Sequence, residues 1–198
     1  IEGGMVCTDD PRLDEILRML RSHGWAKDIG PDREATLARE REVLEFNRPF
    51  TFYLPGFNVR SSDLNARLGL SQMRRADQVV YTRVANHALY QSLFTRADGF
   101  RCQHNHRATI SSIAFAALAS SHEHRERVGE ALREAGIETR PLGGGNMSRQ
   151  PFWSDRYGSQ LFPVADRIHE TSFQLPNHQA LRSDDVRAIA AVVQSVKP

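Results

Sequence analysis

The stretch LPGFNVRSSDLNARLGLSQM, residues 54–73, places a turn directly in front of a helix. The Pro55-Gly56 pair predicts the turn, and Phe57, Asn58 and Arg60 follow before the helix begins. Loops that a rigid scaffold holds in place are common positions for functional residues. We therefore expect this loop to present side chains to a binding site.

Helix signals lie on both sides of this loop. Ser61 or Ser62 is a predicted N-cap, and the helix that follows is expected to reach about residue 94 with a bend near Ala76. Upstream, an acidic cap followed by a proline predicts a helix that begins near residue 10. Gly24 is its expected terminator. Residues 26–48 are highly charged and are interpreted as a solvated loop or a helical insertion.

The remaining segments predict short strands mixed with helices. An apolar run at 5–8 is expected to be a buried strand. Residues 113–119, 120–136 and 137–142 form a strand–helix–strand pattern. A short helix at 164–170, a strand at 172–175 and a terminal helix at 183–196 follow. The predicted fold class is α+β, with a mixed or antiparallel sheet flanked by helices.

Composition excludes several classes of protein. The chain of 198 residues carries 26 basic and 24 acidic side chains, a net charge of +2. This balance gives no case for a nucleic-acid or membrane partner. No apolar run is long enough to span a bilayer. Two cysteines do not make a disulfide framework, so a cytoplasmic setting is expected. The opening residues, IEGGMVCTDD, are typical of an internal segment of a longer protein.

Two histidine pairs are of the residue type that binds metal ions. His104 and His106 flank one residue, and so do His122 and His124. A zinc site needs three or four protein ligands, and the second pair lies at a charged helix start where positions i and i+2 diverge. No metal is predicted.

Five motifs occur in an order that resembles a known family. They are EGGMV-TDD, R-HG, GFN-R-SDL-A-LGL-Q, GIETRPL and GN--RQPFW. The chain resembles the DegT/StrS-type sugar aminotransferases, which are fold-type I enzymes that use pyridoxal phosphate. The GN--RQPFW loop resembles the branch of 3-dehydratases that use pyridoxamine phosphate. Residues 26–48 and 95–110 lie outside the resemblance.

The resemblance implies how this chain is divided and where it belongs in a larger protein. It matches the C-terminal portion of the family. Residues 1–50 would end the large cofactor-binding domain, 51–100 would hold an active-site loop and a long interdomain helix, and 101–198 would form a small C-terminal domain. The lysine or histidine at the cofactor position would precede Ile1. The isolated chain is therefore expected to be inactive, and the whole protein to be a homodimer with shared active sites.

The resemblance also implies the chemistry. The substrate would be a nucleotide-linked 4-keto-6-deoxyhexose of deoxysugar, lipopolysaccharide or glycoside biosynthesis, and 3-dehydration is the main hypothesis. A 4-aminotransferase of the same family is the alternative. A hypothesis of another class is a non-catalytic small domain that serves dimerisation or binding.

Asn58 and His23 are the candidates for cofactor binding and catalysis. In the family, the matching asparagine reaches the cofactor phosphate of the neighbouring subunit. The alternative for Asn58 is a left-handed turn residue. His23 lies at a helix end, where an imidazole can carry a proton or donate a hydrogen bond to substrate. Its alternative is a helix C-cap.

The candidate substrate-binding residues lie in three segments. Phe57 and Arg60 belong to the loop after Pro55, and the guanidinium of Arg60 suits diphosphate or sugar oxygens. An ion pair of Arg60 with Asp63 or another carboxylate is the alternative. Glu138 and Arg140 would share one face of a strand. They would bind sugar hydroxyls or, alternatively, form a salt bridge between domains.

Asn146 and Arg149 are the polar residues of the loop at 143–153. The glycines of that loop are not a phosphate-binding P-loop, because no Gly-Lys-Ser/Thr follows them. Substrate contact is predicted for Asn146 and Arg149, with a flexible surface loop as the alternative.

Overall fold

The computed structural model describes residues 3–198, which form two compact units. The first extends to Arg74 and the second spans Arg75–Pro198. The predicted three-part division of the chain stays a prediction. No helix among the described residues is long and apolar enough to cross a membrane.

The first unit is helical. Its elements are α1 (Pro11–Leu20), α2 (Pro31–Glu40), a 3-10 helix at Glu45–Phe50 and α3 (Asp63–Met73). Asp10 caps α1 by accepting from the backbone amides of Arg12 and Leu13 at 2.8 and 3.3 Å, which confirms the predicted N-terminus. Ser62 caps α3. The charged segment at 26–48 is mainly helical.

The second unit is α+β, as predicted. Its helices are α4 (Ala76–Phe94), α5 (His122–Glu134), α6 (Pro151–Tyr157), α7 (Pro163–Thr171) and α8 (Ser183–Ser195), with short 3-10 turns at Leu142–Gly144 and Met147–Arg149. The strands β1 (Phe100–Cys102), β2 (Ala114–Ala119) and β3 (Ser172–Pro176) form one antiparallel sheet in the order β1-β2-β3. The predicted helix to about residue 94 is divided into α3 and α4 at Arg74–Arg75, close to the position where a bend is predicted.

The core of the second unit lies between the sheet and its helices. Side chains of β2 alternate, so that Phe115 and Ala117 are buried. Tyr90 of α4 stacks on Phe115 with ring centroids 4.9 Å apart. The buried apolar faces of α5 and α8 complete the core with Val128, Leu132, Val186, Ile189, Ala190 and Val193.

Two predicted strands are wrong. Residues 5–8 form no strand, and Met5 and Val6 are 87% and 72% exposed. The segment 137–142 forms only an isolated bridge between Arg140 and Gln174. Pro141 follows that bridge and has no amide hydrogen to continue a ladder, so the expected strand–helix–strand unit lacks its second strand.

Candidate active-site segment

Two segments of the first unit, 19–25 and 52–59, run side by side through backbone hydrogen bonds. The amide of His23 donates to the carbonyl of Phe57 at 2.7 Å, and the amide of Phe57 donates to Leu20 at 2.7 Å. These bonds fix the loop on the end of α1. The loop that precedes α3 is therefore held by backbone pairing. We call the two paired segments, 19–25 and 52–59, the clamp.

Two glycines allow the clamp to close. Gly24 has a φ of +90°, and a Cβ atom there would lie 1.7 Å from the carbonyl oxygen of Leu54. A Cβ atom on Gly56 would lie 2.3 Å from the amide nitrogen of Gly24 and 2.5 Å from the carbonyl carbon of His23. At Gly24 and Gly56 the backbone of the other segment occupies the space that a Cβ atom would need, so both positions require glycine.

Asn58 is held in the clamp by its backbone. Its backbone pairs with Ser22, its side chain is exposed, and its amide forms no hydrogen bond with any described residue. Among residues 3–198, only His23 and Glu42 are non-glycine residues with positive φ. The alternative of Asn58 as a left-handed turn residue is therefore wrong. Its amide is available to a ligand or another chain.

His23 is half-buried and strained. Its φ is +62°, a conformation that costs a non-glycine residue about 1–3 kcal/mol. Its ring lies 5.1 Å from that of Trp25 and forms no hydrogen bond within residues 3–198. No imidazole nitrogen reaches a carbonyl of α1, but His23 holds the left-handed position after the helix, where the Gly24 amide closes the helix end by donating to Met19 at 2.8 Å. The helix-end alternative for His23 therefore stays open.

Arg60 packs on an aromatic ring. Its guanidinium carbon lies 5.9 Å from the centroid of the Trp25 ring, a cation–π arrangement. In the described part of the chain Arg60 forms no ion pair with Asp63 or another carboxylate, so that alternative is not observed. The clamp thus carries His23, Phe57 and Asn58, and Arg60 directly follows its second segment. Sequence reasoning missed Trp25, although its position directly after the His-Gly pair is a usable signal.

In the second unit, Asn146 and Arg149 belong to a polar network rather than to a free loop. Asn146 is 5% exposed, and its amide donates to Asp166 at 2.8 Å while its carbonyl oxygen accepts from the Ser148 hydroxyl at 2.8 Å. Arg149 pairs with Asp166 at 2.6 Å and with Glu170 at 2.8 Å. The flexible-loop alternative is wrong. The geometry favours a structural role for Asn146, and substrate contact stays a prediction.

Asp166 is the hub of this network, and sequence reasoning did not identify it. The backbone amide of Phe162 donates to it at 2.8 Å. That bond, the Asn146 amide and the Arg149 guanidinium together hold the pKa of Asp166 below its usual value.

Gly145 and His169 hold the other side of the same loop. A Cβ atom on Gly145 would lie 2.1 Å from Nδ1 of His169, and that nitrogen accepts from the backbone amide of Asn146 at 3.1 Å. The loop backbone is therefore fixed directly against α7.

Glu138 and Arg140 pair with each other on the surface. Their side chains meet at 2.6 Å and are 72% and 73% exposed. They line a cavity of about 670 Å³, a size within the range of small-molecule sites. The two side chains were predicted to lie on one face of a strand. They do contact each other, but neither residue belongs to a strand. Contact with sugar hydroxyls stays a prediction.

The histidine pairs show no metal geometry. The rings of His104 and His106 are 6.0 Å apart. Across residues 3–198, no group of three histidine, cysteine or acidic side chains is placed to hold an ion.

Comparison with known proteins identifies relatives of the whole chain. The chain is 32% identical over 200 residues to GDP-4-keto-6-deoxy-D-mannose 3-dehydratase of Yersinia pseudotuberculosis, covering 98% of this chain and 50% of the relative. It is 26% identical over 202 residues to GDP-perosamine synthase of Caulobacter vibrioides, covering 98% and 48%. The chain thus spans about half the length of these curated relatives.

Solved structures share the fold. The Escherichia coli GDP-4-keto-6-deoxy-D-mannose 3-dehydratase with bound hydrated pyridoxal phosphate superposes with a TM-score of 0.77 at 22% identity, covering 94% of this chain and 48% of that one. The model of the DegT/DnrJ/EryC1/StrS aminotransferase family matches residues 1–194. The chain therefore belongs to the DegT/DnrJ/EryC1/StrS aminotransferase family.

Proposed function

We propose that the protein containing this chain is an enzyme that uses pyridoxal or pyridoxamine phosphate to remove the C3 hydroxyl of a nucleotide-linked 4-keto-6-deoxyhexose. The observation that carries this proposal is the 32% identity to a GDP-4-keto-6-deoxy-D-mannose 3-dehydratase across 98% of the chain. GDP-4-keto-6-deoxymannose is the substrate to test first, because two relatives with this activity match.

The clamp supports a cofactor role for Asn58. An exposed amide with no hydrogen-bond partner among the described residues fits a phosphate oxygen, and the paired backbone holds it in place. When bound, the cofactor supplies an amine for the C4 ketone and an electron-withdrawing ring. In our proposal Asn58 binds the phosphate of a cofactor held by the partner subunit in a homodimer.

The other residues of the clamp, and Arg60 after it, fit substrate. An imidazole nitrogen of His23 carries a proton for a substrate oxygen, since no described side chain or carbonyl bonds to either nitrogen. Arg60 lies over the Trp25 ring and pairs with no carboxylate among the described residues, so its donors suit diphosphate or sugar oxygens. Phe57 is 65% exposed and provides apolar contact.

In the second unit, the surface pair of Glu138 and Arg140 is also proposed to bind sugar hydroxyls. Glu138 and Arg140 offer an acceptor and donors at the rim of one cavity, which suits a polyhydroxylated ring. Arg149 holds the loop at 143–153 in place through its ion pair with Asp166. The position of the chain in the C-terminal portion of the whole protein, after the cofactor-position residue, stays a prediction of the family resemblance.

Transamination at C4 is the second candidate. The similarity to GDP-perosamine synthase favours it, and the same clamp would serve. In the family, a lysine at the cofactor position indicates an aminotransferase and a histidine indicates the dehydratase. Reading that residue in the complete gene separates the two, and a start codon near Ile1 with no further domain would instead support the non-catalytic module.

The direct test uses the full-length protein. Purified protein is incubated with pyridoxal phosphate, L-glutamate and GDP-4-keto-6-deoxymannose, and products are analysed by mass spectrometry and NMR. A product that lacks the C3 hydroxyl supports dehydration, and a product with a C4 amine supports transamination. Recovery of unchanged substrate from folded, cofactor-loaded protein would refute both.

A further inference from the structure

Three buried polar atoms of the second unit belong to one cluster and have no hydrogen-bond partner among residues 3–198. They are Nε of Arg83, Nε2 of His87 and Oδ1 of Asn177. His87 is 8% exposed and Asn177 is 1% exposed. Buried polar groups in folded proteins are nearly always satisfied, either by protein groups or by ordered water. The cluster is therefore a candidate binding site for a small polar molecule.

The three residues are connected by the other hydrogen bonds that they form. The amide nitrogen of Asn177 donates to the backbone carbonyl of Arg83 and to the Ser112 hydroxyl, both at 3.1 Å. That hydroxyl lies 2.9 Å from Nδ1 of His87. Arg83 and His87 are four residues apart in α4, so their side chains lie on one face of the helix. The cluster thus joins α4 to the end of β3 and to the segment before β2.

The contacts of Asn177 determine which end of its amide is free. Its nitrogen faces the backbone carbonyl of Arg83 at 3.1 Å and that of Ser112 at 3.0 Å. A carbonyl oxygen only accepts hydrogen bonds, so the group turned towards these two carbonyls is the NH₂. Oδ1 of Asn177 is therefore the free atom, and it is an acceptor.

The contacts of Ser112 determine where His87 carries its proton. Burial lowers the pKa of His87, so its ring is neutral at pH 7 and has one N–H. The Ser112 hydroxyl accepts from Asn177, and its one other partner in the described part of the chain is Nδ1 of His87. The hydroxyl hydrogen is therefore donated to Nδ1, and the ring proton lies on Nε2. The free nitrogens of His87 and Arg83 are both donors.

Two donors and one acceptor match the hydrogen bonds of a water molecule. An anion would be repelled by Oδ1 of Asn177, and a metal cation would be repelled by the two N–H groups. We infer that one buried water molecule binds in this cluster, accepting from Nε of Arg83 and Nε2 of His87 and donating to Oδ1 of Asn177. Three hydrogen bonds are the usual number for a buried water.

Space for a water lies beside the cluster. A cavity of about 230 Å³ is lined by Asn177 and by Ile113, the neighbour of Ser112, whereas a water molecule takes up about 30 Å³. The bound water links α4 to the end of β3 at the two side chains that no direct hydrogen bond joins. The inference is independent of the proposed function, because that function assigns no role to any residue of the cluster.

The first test is a crystal structure of the full-length protein at a resolution that shows ordered water. A solvent peak is expected within about 3.2 Å of at least two of the three atoms. Direct pairing of these atoms with protein groups, or ordered side chains with no peak within that distance, overturns the inference. A peak that anomalous scattering identifies as chloride overturns it as well.

The second test counts long-lived waters in solution by oxygen-17 magnetic relaxation dispersion. Arg83→Met combined with His87→Asn removes both donors, while the asparagine keeps a polar group close to Ser112. This double variant should lose one long-lived water relative to wild type. Arg96→Met combined with His106→Asn is the matched control, since both residues are exposed, and its count should equal that of wild type.

An unchanged count in the double variant, with the protein folded by circular dichroism, overturns the inference. If the double variant does not fold, the crystal structure of the wild-type protein decides.

Discussion

Gly24 approaches Leu54 so closely that a Cβ atom on the glycine would lie 1.7 Å from the leucine carbonyl oxygen. The neighbouring amide of His23 donates to Phe57 at 2.7 Å. The end of α1 therefore lies directly against the loop that carries Asn58. The loop can take this position because residue 24 is a glycine and has no Cβ atom.

Gly24→Ala should destabilise the protein more than Gly30→Ala. Both glycines have φ near +90°, but a Cβ atom on Gly30 would meet nothing within 4 Å. Both variants carry the same backbone strain. The difference between their losses in unfolding free energy should therefore reflect the clash of the new Cβ atom at residue 24 with Leu54, about 1–3 kcal/mol. Chemical denaturation of the full-length protein measures it. Equal losses for the two variants would mean that the clamp relaxes freely.

Asn58→Ala should weaken cofactor binding without unfolding the protein. One hydrogen bond to a charged group contributes about 1.5–3 kcal/mol, or one to two decades in affinity. Absorbance titration with pyridoxal phosphate gives the affinity, and Asn47→Ala, an exposed asparagine of the same unit, is the control. Unchanged affinity with a collapse in stability would assign Asn58 a structural role.

Mixing two variants that are severely impaired at limiting cofactor should restore activity if Asn58 serves the partner subunit. One variant carries Asn58→Ala, and the other carries a substitution at the cofactor-position residue. Half of randomly assembled dimers are mixed and each has one intact site, so activity should reach up to about a quarter of wild type. Activity no higher than the mean of the two homodimers, with subunit exchange confirmed by mass spectrometry, would place Asn58 in its own subunit's site.

The stability that ionised Asp166 gives to the folded protein should be lost in acid. Its pKa is lowered in the folded state by the Phe162 amide, Asn146 and Arg149. The stabilisation is therefore complete above the unfolded value of about 4 and is lost as pH falls below it. Asp166→Asn should lower the melting temperature at pH 7 and reduce its further fall towards pH 3.

Asp155→Asn is the control for this pH dependence, since Asp155 is exposed in α6. A melting temperature of Asp166→Asn that falls with acid as steeply as that of the control would contradict the assignment.

Glu138→Gln and Arg140→Gln should raise KM about tenfold if each residue binds substrate by a charge-assisted hydrogen bond. Stability should change little, because exposed pairs contribute weakly. The control is Asp14→Asn, which breaks the exposed Asp14–Arg18 pair of α1. A KM equal to that of the control in both variants would leave Glu138 and Arg140 as a surface ion pair only.

Local signals predicted the elements that depend on local chemistry. Asp10 and Ser62 accept backbone amides at the predicted helix starts, and β3 has the predicted position within one residue. The strands at 5–8 and 137–142 were predicted wrongly, because a strand needs a hydrogen-bonding neighbour that sequence alone does not supply. At 137–142 the only bridge is to Gln174, and Pro141 prevents a longer one.

The sequence by itself determined the family, the α+β class and the loop that carries Asn58, since motif order, caps and apolar periodicity are all written along the chain. Only the tertiary structure decided how that loop is held and which side chains are free. His23 has a left-handed backbone conformation that its residue type does not predict. The Arg60–Trp25 contact and the Asp166 network each join residues that are distant in sequence. Backbone hydrogen bonds and close glycine contacts between separate segments create these relationships, and no local pattern encodes them.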